Sequence, residues 1–199
     1  MSILLITGYR RTGKDTLCQQ IQNKSNIPFN WKVYSSPTTD LKFNRVLDLF
    51  CNGQRLAFAD CLKQEVKDIL GDPNLDIDKE KDRLVLPDGR TLRQLLIDHG
   101  QLRRDQNPHY WIEKIIPKLE DKTIITDWRF PNEINYPYGK KIITIRVYDK
   151  NVPIPPYGVS ERDLDSFCPD FFLTRGETTF DNLVTQFPVA ISFDKSIVG

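Results

Sequence analysis

The sequence contains no apolar run near the ~18 residues that would suggest a membrane-spanning helix. Cysteine is sparse: Cys18, Cys51, Cys61 and Cys168 are scattered, and none belongs to a C-x-x-C pair. With only two histidines, no thiolate–imidazole metal site is expected, and the cysteines read as reduced thiols of a cytosolic-type protein. An excess of charge of one sign is also missing. The 28 basic and 27 acidic side chains leave a net charge of +1. That balance argues against a binder of polymeric nucleic acid that relies on a strong overall field. It leaves room for a local basic pocket suited to a small phosphorylated molecule. No repeat or low-complexity tract is found. Ser2–Thr7 is too short for a secretory leader and runs straight into a glycine loop, so a cytoplasmic location is expected.

What is present is an alternation of strand-like and helix-like segments. With 199 residues the chain fits one ordinary domain, or a core carrying one excursion. Ile3–Ile6 is a continuous apolar run, as in a strand buried on both faces of a parallel sheet. Leu17 and Ile21 lie four apart among polar glutamines, which predicts a helix. A short strand is expected around Trp31 and Val33, then a turn at 37–40 and a short helix over 41–49. Leu56–Asp60 reads as a second short strand ending in an acid. Leu62, Val66, Ile69 and Leu70 form a helical stripe closed by Gly71.

Residues 72–82 are charged and turn-like, and 84–89 look like a small exposed excursion. Helices are expected over Leu92–His99 and Ile112–Leu119, with Asn107-Pro108 between them. Lys122–Asp127 reads as a strand ending in a carboxylate, Pro131–Ile134 as a short helix and Lys141–Val147 as the next strand. A proline-rich loop precedes Ser160; a helix over Phe180–Phe187 and a strand over Val189–Phe193 complete the series. The economical fold is α/β.

Gly8-Tyr-Arg-Arg-Thr-Gly-Lys14 satisfies G-x-x-x-x-G-K between a predicted strand and a predicted helix. Glycines there let backbone N–H groups curl around phosphate oxygens, and the helix N-terminus adds a favourable potential. Lys14 supplies a mobile positive charge for the β- and γ-phosphates. The candidate ATP-binding set is Gly8, Arg10, Arg11, Thr12, Gly13, Lys14, Asp15 and Thr16. One departure stands out: Asp15 occupies the place where a hydroxyl usually follows the lysine, and the hydroxyl comes at Thr16. Asp15 could hold Mg²⁺ through a water, orient the acceptor, or cap and polarise the loop; Thr16 could reach the α-phosphate. The plainer alternative is a tight turn with Asp15 as a first-turn acid.

Ligands of open parallel sheets bind beyond the carboxyl ends of the strands. Asp127 and Asp60 are expected there, Asp127 to hold Mg²⁺ together with Asp15 and Asp60 to orient the acceptor; a solvent-facing acid is the alternative for each. Arg129, two residues after Asp127, is placed to stabilise the charge of phosphoryl transfer. Arg103 and Arg104 end a predicted helix and could clamp an acceptor phosphate or simply complement the helix dipole. Arg146 and Arg11 are discounted as surface solvation, although Arg11 stays in the loop set. His99 and His109 read as structural or surface residues. Among Trp111, Trp128 and Phe130, Trp128 is the most interesting candidate for stacking on a base, with a core position as the alternative.

Beyond the loop, several stretches carry a resemblance. They are Phe58-Ala-Asp-Cys-Leu-Lys63, Leu92-Arg-Gln-Leu-Leu96 with Gly100 and Arg103-Arg104, and Ile125-Thr-Asp-Trp-Arg-Phe-Pro-Asn-Glu133. Ser160-Glu161, Leu164-Asp165 and Asp170-Phe171 follow. With the loop 8–16, the chain resembles the deoxynucleoside monophosphate kinases of bacteriophages and large DNA viruses. The resemblance implies a P-loop, nucleotide-kinase-like three-layer α/β/α sandwich with a central, mostly parallel sheet. It implies ATP and Mg²⁺ as cofactors, a nucleoside monophosphate (dNMP) as acceptor, and neither polymeric nucleic acid nor membrane as partner.

The organisation implied is a single domain over 1–199, with an acceptor-binding excursion over about 72–110 and a closing segment over about 150–170. Lys14, Asp15, Asp127 and Arg129 are then the catalytic candidates. Asp60, Lys63, Arg103, Arg104, Trp128, Arg129, Glu133 and Arg162 are the acceptor-binding ones. The compartment would be the cytoplasm, that of a host cell if the chain is viral. Oligomeric state is left open, with a homodimer as one option. Cys61 stands where the family has proline, and the segment 28–52 is individual to this chain, so base specificity is not carried over. Animal-type phosphomevalonate kinases share the loop and closing segment and are the competing enzyme reading. A nucleotide-gated, non-metabolic protein is the third.

Overall fold

The computed structural model describes residues 2–23, 31–36, 39–136, 138–155, 162–175 and 187. Ile3–Ile6 are fully buried, as a strand enclosed on both faces demands, and they form most of β1 (Ser2–Thr7). The remaining strands are β2 (Trp31–Ser35), β3 (Arg55–Leu56), β4 (Thr123–Ile125), β5 (Lys141–Asp149) and β6 (Phe171–Arg175). They make one six-stranded sheet in the order β2-β6-β5-β1-β4-β3. β1 runs parallel to both β4 and β5, β5 parallel to β6, and β3 parallel to β4. Among the described residues only β2 is antiparallel, against β6. The fold is therefore mixed α/β around a mostly parallel sheet.

The chain divides into two compact units. The first, Met1–Leu56 with Glu120–Gly199, contains the whole sheet. Helices α1 (Lys14–Gln22) and α2 (Phe43–Phe50) bury Leu17, Cys18 and Ile21, and Phe43, Val46 and Phe50, in one core with Leu4, Ile6, Ile143, Ile145 and Leu173. Phe43 meets Phe171 edge to face at 5.3 Å.

The second unit, Ala57–Leu119, is helical: α3 (Phe58–Leu70), α4 (Ile77–Glu80), α5 (Leu92–Gln106) and α6 (Tyr110–Ile115), followed by a 3₁₀ turn at Ile116–Lys118. Its core is built from Val66, Ile77 and Leu92, with Leu62, Leu70, Leu84, Leu95 and Leu96 packed around them. It extends beyond the excursion expected over 72–110 at both ends.

Three expectations need correction. The strand read over Leu56–Asp60 shrinks to Arg55–Leu56, and α3 begins at Phe58. Phe58 and Cys61 are buried with Val66, so the helical stripe starts a turn earlier than Leu62. Asp60 therefore lies in the first turn of a helix and not at a strand's end. Residues 72–82 contain a short helix, α4, capped by the Asp76 side chain accepting from the Lys79 N–H at 3.2 Å. Strand β6 was not anticipated at all. Gly71, at φ 67°, closes α3 as expected. The helix expected over 180–187 and the strand over 189–193 fall outside the described residues except for Phe187, as do Ser160 and Glu161. No helix among the described residues is long and apolar enough to cross a membrane.

Candidate functional site

β1 leads into the glycine loop, and the backbone there needs its glycines. Gly8 has φ 146°, and a Cβ on it would lie 2.4 Å from the carbonyl oxygen of Val147 on the neighbouring β5. Gly13 has φ 94° and precedes α1 directly, with the Trp31 ring 3.1 Å from where a Cβ would sit. Arg11 also takes a left-handed φ of 70°. Thr12 is fully buried; its hydroxyl donates to the Tyr9 carbonyl at 2.9 Å, so it shapes the loop from within. Arg10 and Arg11 are exposed.

Lys14 opens α1, where the first-turn N–H groups lie outside the intrahelical ladder. Its ammonium donates to the carbonyls of Gly8 at 2.7 Å and Tyr9 at 2.8 Å. A mobile cation thus folds back over its own loop at the positive end of a helix, an arrangement suited to anions. Asp15 and Thr16 are exposed in the same turn. Asp15 receives Arg55 Nη2 at 3.2 Å, an arginine that sequence reasoning missed. One turn on, burial pushes the Cys18 thiol up to about 12, which makes it a packing residue and not a nucleophile.

β4 lies beside β1, parallel and in register at Leu5 and Ile125, so Gly8 and Asp127 both follow the carboxyl ends of neighbouring strands. Trp128 N–H donates to the Ile6 carbonyl at 3.3 Å and pins the second segment against the first strand. Asp127 and Arg129 are half-buried. Glu133, 2 % exposed, accepts the N–H groups of Arg129 at 2.8 Å and Phe130 at 3.1 Å. Its carboxylate fixes the backbone that carries Arg129 and caps helix α7 (Pro131–Asn135).

Trp128 is a core residue, correcting the expectation of a stacking face. It is buried against Phe167 at 4.8 Å, and its indole N–H donates to the Phe130 carbonyl at 3.0 Å.

Arg146 overturns a second expectation. It is almost fully buried, not surface-solvated. Its guanidinium donates to the Leu164 carbonyl and pairs with Asp165, lying over the rings of Phe187 and Tyr9. Asp165 also accepts the Tyr9 hydroxyl at 3.0 Å and Arg162 Nε at 2.7 Å. Burial, partly countered by the Arg146 charge, pushes the Tyr9 phenol up to about 12, so it stays a donor at neutral pH. The signal was legible: an arginine inside the apolar run of β5 must find a partner when buried.

In the second unit, Lys63 pairs with Asp78 at 2.6 Å and Asp60 is exposed. Arg104 is half-buried, with Nη1 on the Gly100 carbonyl at 3.4 Å. Arg103 Nε donates to Glu65 at 3.3 Å, and its guanidinium lies 5.0 Å from the Tyr110 ring centroid. Glu65 was not singled out in the sequence, yet it gathers four partners: the Tyr110 hydroxyl at 2.5 Å, His99 Nε2 at 2.9 Å, Arg103, and Lys114 at 3.4 Å. Burial opposes its ionisation. Hydrogen bonds from Tyr110, His99 and Lys114, and then the Arg103 charge, outweigh burial and hold the carboxyl down at about 2.

Among the described residues, no group of three or more His, Cys, Asp or Glu side chains could hold a metal ion. The chain matches no family model and no curated protein.

Proposed function

We propose that this protein is an ATP-dependent kinase that converts (deoxy)nucleoside monophosphates to diphosphates in the cytoplasm. Its framework would be a P-loop, nucleotide-kinase-like three-layer α/β/α sandwich, with which the six-stranded, mostly parallel sheet is compatible. One observation carries the reading. Lys14 stands at the start of α1, directly after a buried strand and a loop whose Gly8 and Gly13 take left-handed φ, with its ammonium on loop carbonyls. An incoming triphosphate would take over those hydrogen bonds.

Mg²⁺ carried with ATP needs only one or two protein carboxylates, because water and phosphate oxygens complete its shell. Asp15, in the first turn of α1, and Asp127, just past β4, would be those carboxylates. A bound Mg²⁺ would supply charge compensation there.

The reaction is in-line transfer of the γ-phosphoryl group to an acceptor phosphate oxygen. That oxygen is already anionic near neutral pH, since a phosphate monoester's second pKa is about 6, so no strong general base is required. Lys14 and Arg129 would stabilise the developing charge, Arg129 from a backbone held by Glu133. Lys63, Arg103 and Arg104 are the acceptor-binding candidates of the helical unit, and Arg162 is a candidate of the sheet unit.

The test is ADP release measured across nucleoside monophosphates and mevalonate 5-phosphate. Release that depends on a nucleoside monophosphate supports the reading. Release driven by mevalonate 5-phosphate, or slow hydrolysis indifferent to any acceptor, removes it.

A further inference from the structure

Tyr9 belongs to the glycine loop, while Arg162 and Asp165 form a turn 153 or more residues away in sequence, closed by the Asp165 N–H donating to the Arg162 carbonyl at 2.9 Å. One carboxylate joins them. Asp165 takes the Tyr9 hydroxyl at 3.0 Å on each oxygen, Arg162 Nε at 2.7 Å, and the guanidinium of Arg146. Arg146 is itself fixed: it lies on β5 opposite Thr7, the last residue of β1, and donates to the Leu164 carbonyl. The loop's second residue is thereby tied to the turn through side chains that are mostly buried. These bonds are additional to the loop's local ones, its positive-φ residues and the Thr12 hydroxyl on the Tyr9 carbonyl.

We propose that Asp165 is a positioning residue for the phosphoryl transfer described above: it sets Tyr9 and Arg162 against each other before nucleotide arrives, so that the loop and the 162–165 turn act as one preorganised unit. The inference rests on the nucleotide-kinase reading. Asp165 acts through the loop and through Arg162.

The test compares the wild-type protein with Tyr9→Phe, which removes one hydroxyl and leaves the Arg146–Asp165 pair in place. Asp165→Asn is the stronger variant, but it leaves a buried guanidinium without its counter-charge, so Tyr9→Phe carries the decision. Amide hydrogen exchange of peptides covering 8–13, without ligand, is expected to rise about tenfold in Tyr9→Phe, the scale of one lost hydrogen bond to a charged acceptor. Exchange in β1 should not change. Mg·ATP affinity, by calorimetry, should weaken, while the KM for the acceptor stays near the wild-type value.

Loop exchange and Mg·ATP affinity both unchanged in Tyr9→Phe overturn the inference and leave the kinase reading standing. A loop that loosens while Mg·ATP affinity holds also overturns it, because the tie would then be structural only. A wild-type protein that binds no Mg·ATP removes the kinase reading and the inference with it.

Discussion

Arg55 holds Asp15 through two hydrogen bonds to the same carboxylate oxygen, from Nη2 at 3.2 Å and from Nε at 3.3 Å. The pair joins the residue after the loop's lysine to β3, an edge strand only two residues long. Asp15 is largely exposed, so the pair adds little to stability, and its effect is on the charge that Asp15 presents beside the loop. Arg55→Gln is therefore expected to change unfolding free energy by less than about 1 kcal/mol. It should lower the Mg²⁺ concentration needed for half-maximal activity, because Asp15 loses a competing cation. A Mg²⁺ titration that matches wild type would remove Asp15 from the metal assignment.

Lys14→Ala removes the cation that donates to the Gly8 and Tyr9 carbonyls. Loss of a single preorganised donor to a developing charge typically costs about 10²- to 10³-fold in rate. Acceptor-dependent ADP release should fall by at least that much, with the far-ultraviolet circular dichroism unaltered. Activity within a few-fold of wild type would contradict the site.

Glu65 makes the helical unit sensitive to acid. Its carboxyl is held down at about 2 from an ordinary 4.5, so its stabilisation is complete above the unfolded value and is lost as pH falls from about 4.5 towards 2. By linkage this is worth on the order of 2–3 kcal/mol. Asp78, likewise held down at about 2 by Lys63 and Lys81, titrates in the same window, but it is well exposed and contributes less. Chemical denaturation at pH 7 and at pH 3 should show Glu65→Gln less stable than wild type at pH 7, with the deficit reduced to about half or less at pH 3. An equal deficit at both values would mean that Glu65 matters for packing and not for charge.

Arg146 and Asp165 form a mostly buried ion pair, so removing one partner is far worse than removing both. Asp165→Asn is expected to cost about 3–5 kcal/mol, and the double variant Arg146→Met with Asp165→Asn should recover part of that loss. Urea unfolding of the two single variants and the double variant measures the coupling. Strict additivity would show that the two side chains do not depend on each other.

Local pattern was a good guide where one segment's chemistry decides its own shape. The apolar run of β1, the glycines and lysine of the loop, and the Leu17–Ile21 stripe of α1 emerged as read. Asp60 was misplaced because Leu56-Ala-Phe-Ala suits a strand or a helix start equally, and burial of Phe58 and Cys61 chose the helix. Strand β6 is not legible in the sequence because Phe171-Phe-Leu, followed by polar Thr174 and Arg175, is too short to show a period of its own. It becomes a strand by pairing with β5 on one side and with β2 on the other.

Sequence alone determined the strand–loop–helix at the N-terminus, since the positive-φ glycines, the helix start and the lysine are all set by neighbours in the chain. Tertiary structure alone decided the partners: Asp15 with Arg55, Tyr9 with Asp165, and Glu65 with Tyr110, His99, Arg103 and Lys114. Spacing along the chain says nothing about which charges meet when separate elements pack. Burial raises the cost of leaving any of them alone, so the fold, and not the motif, assigns each its partner.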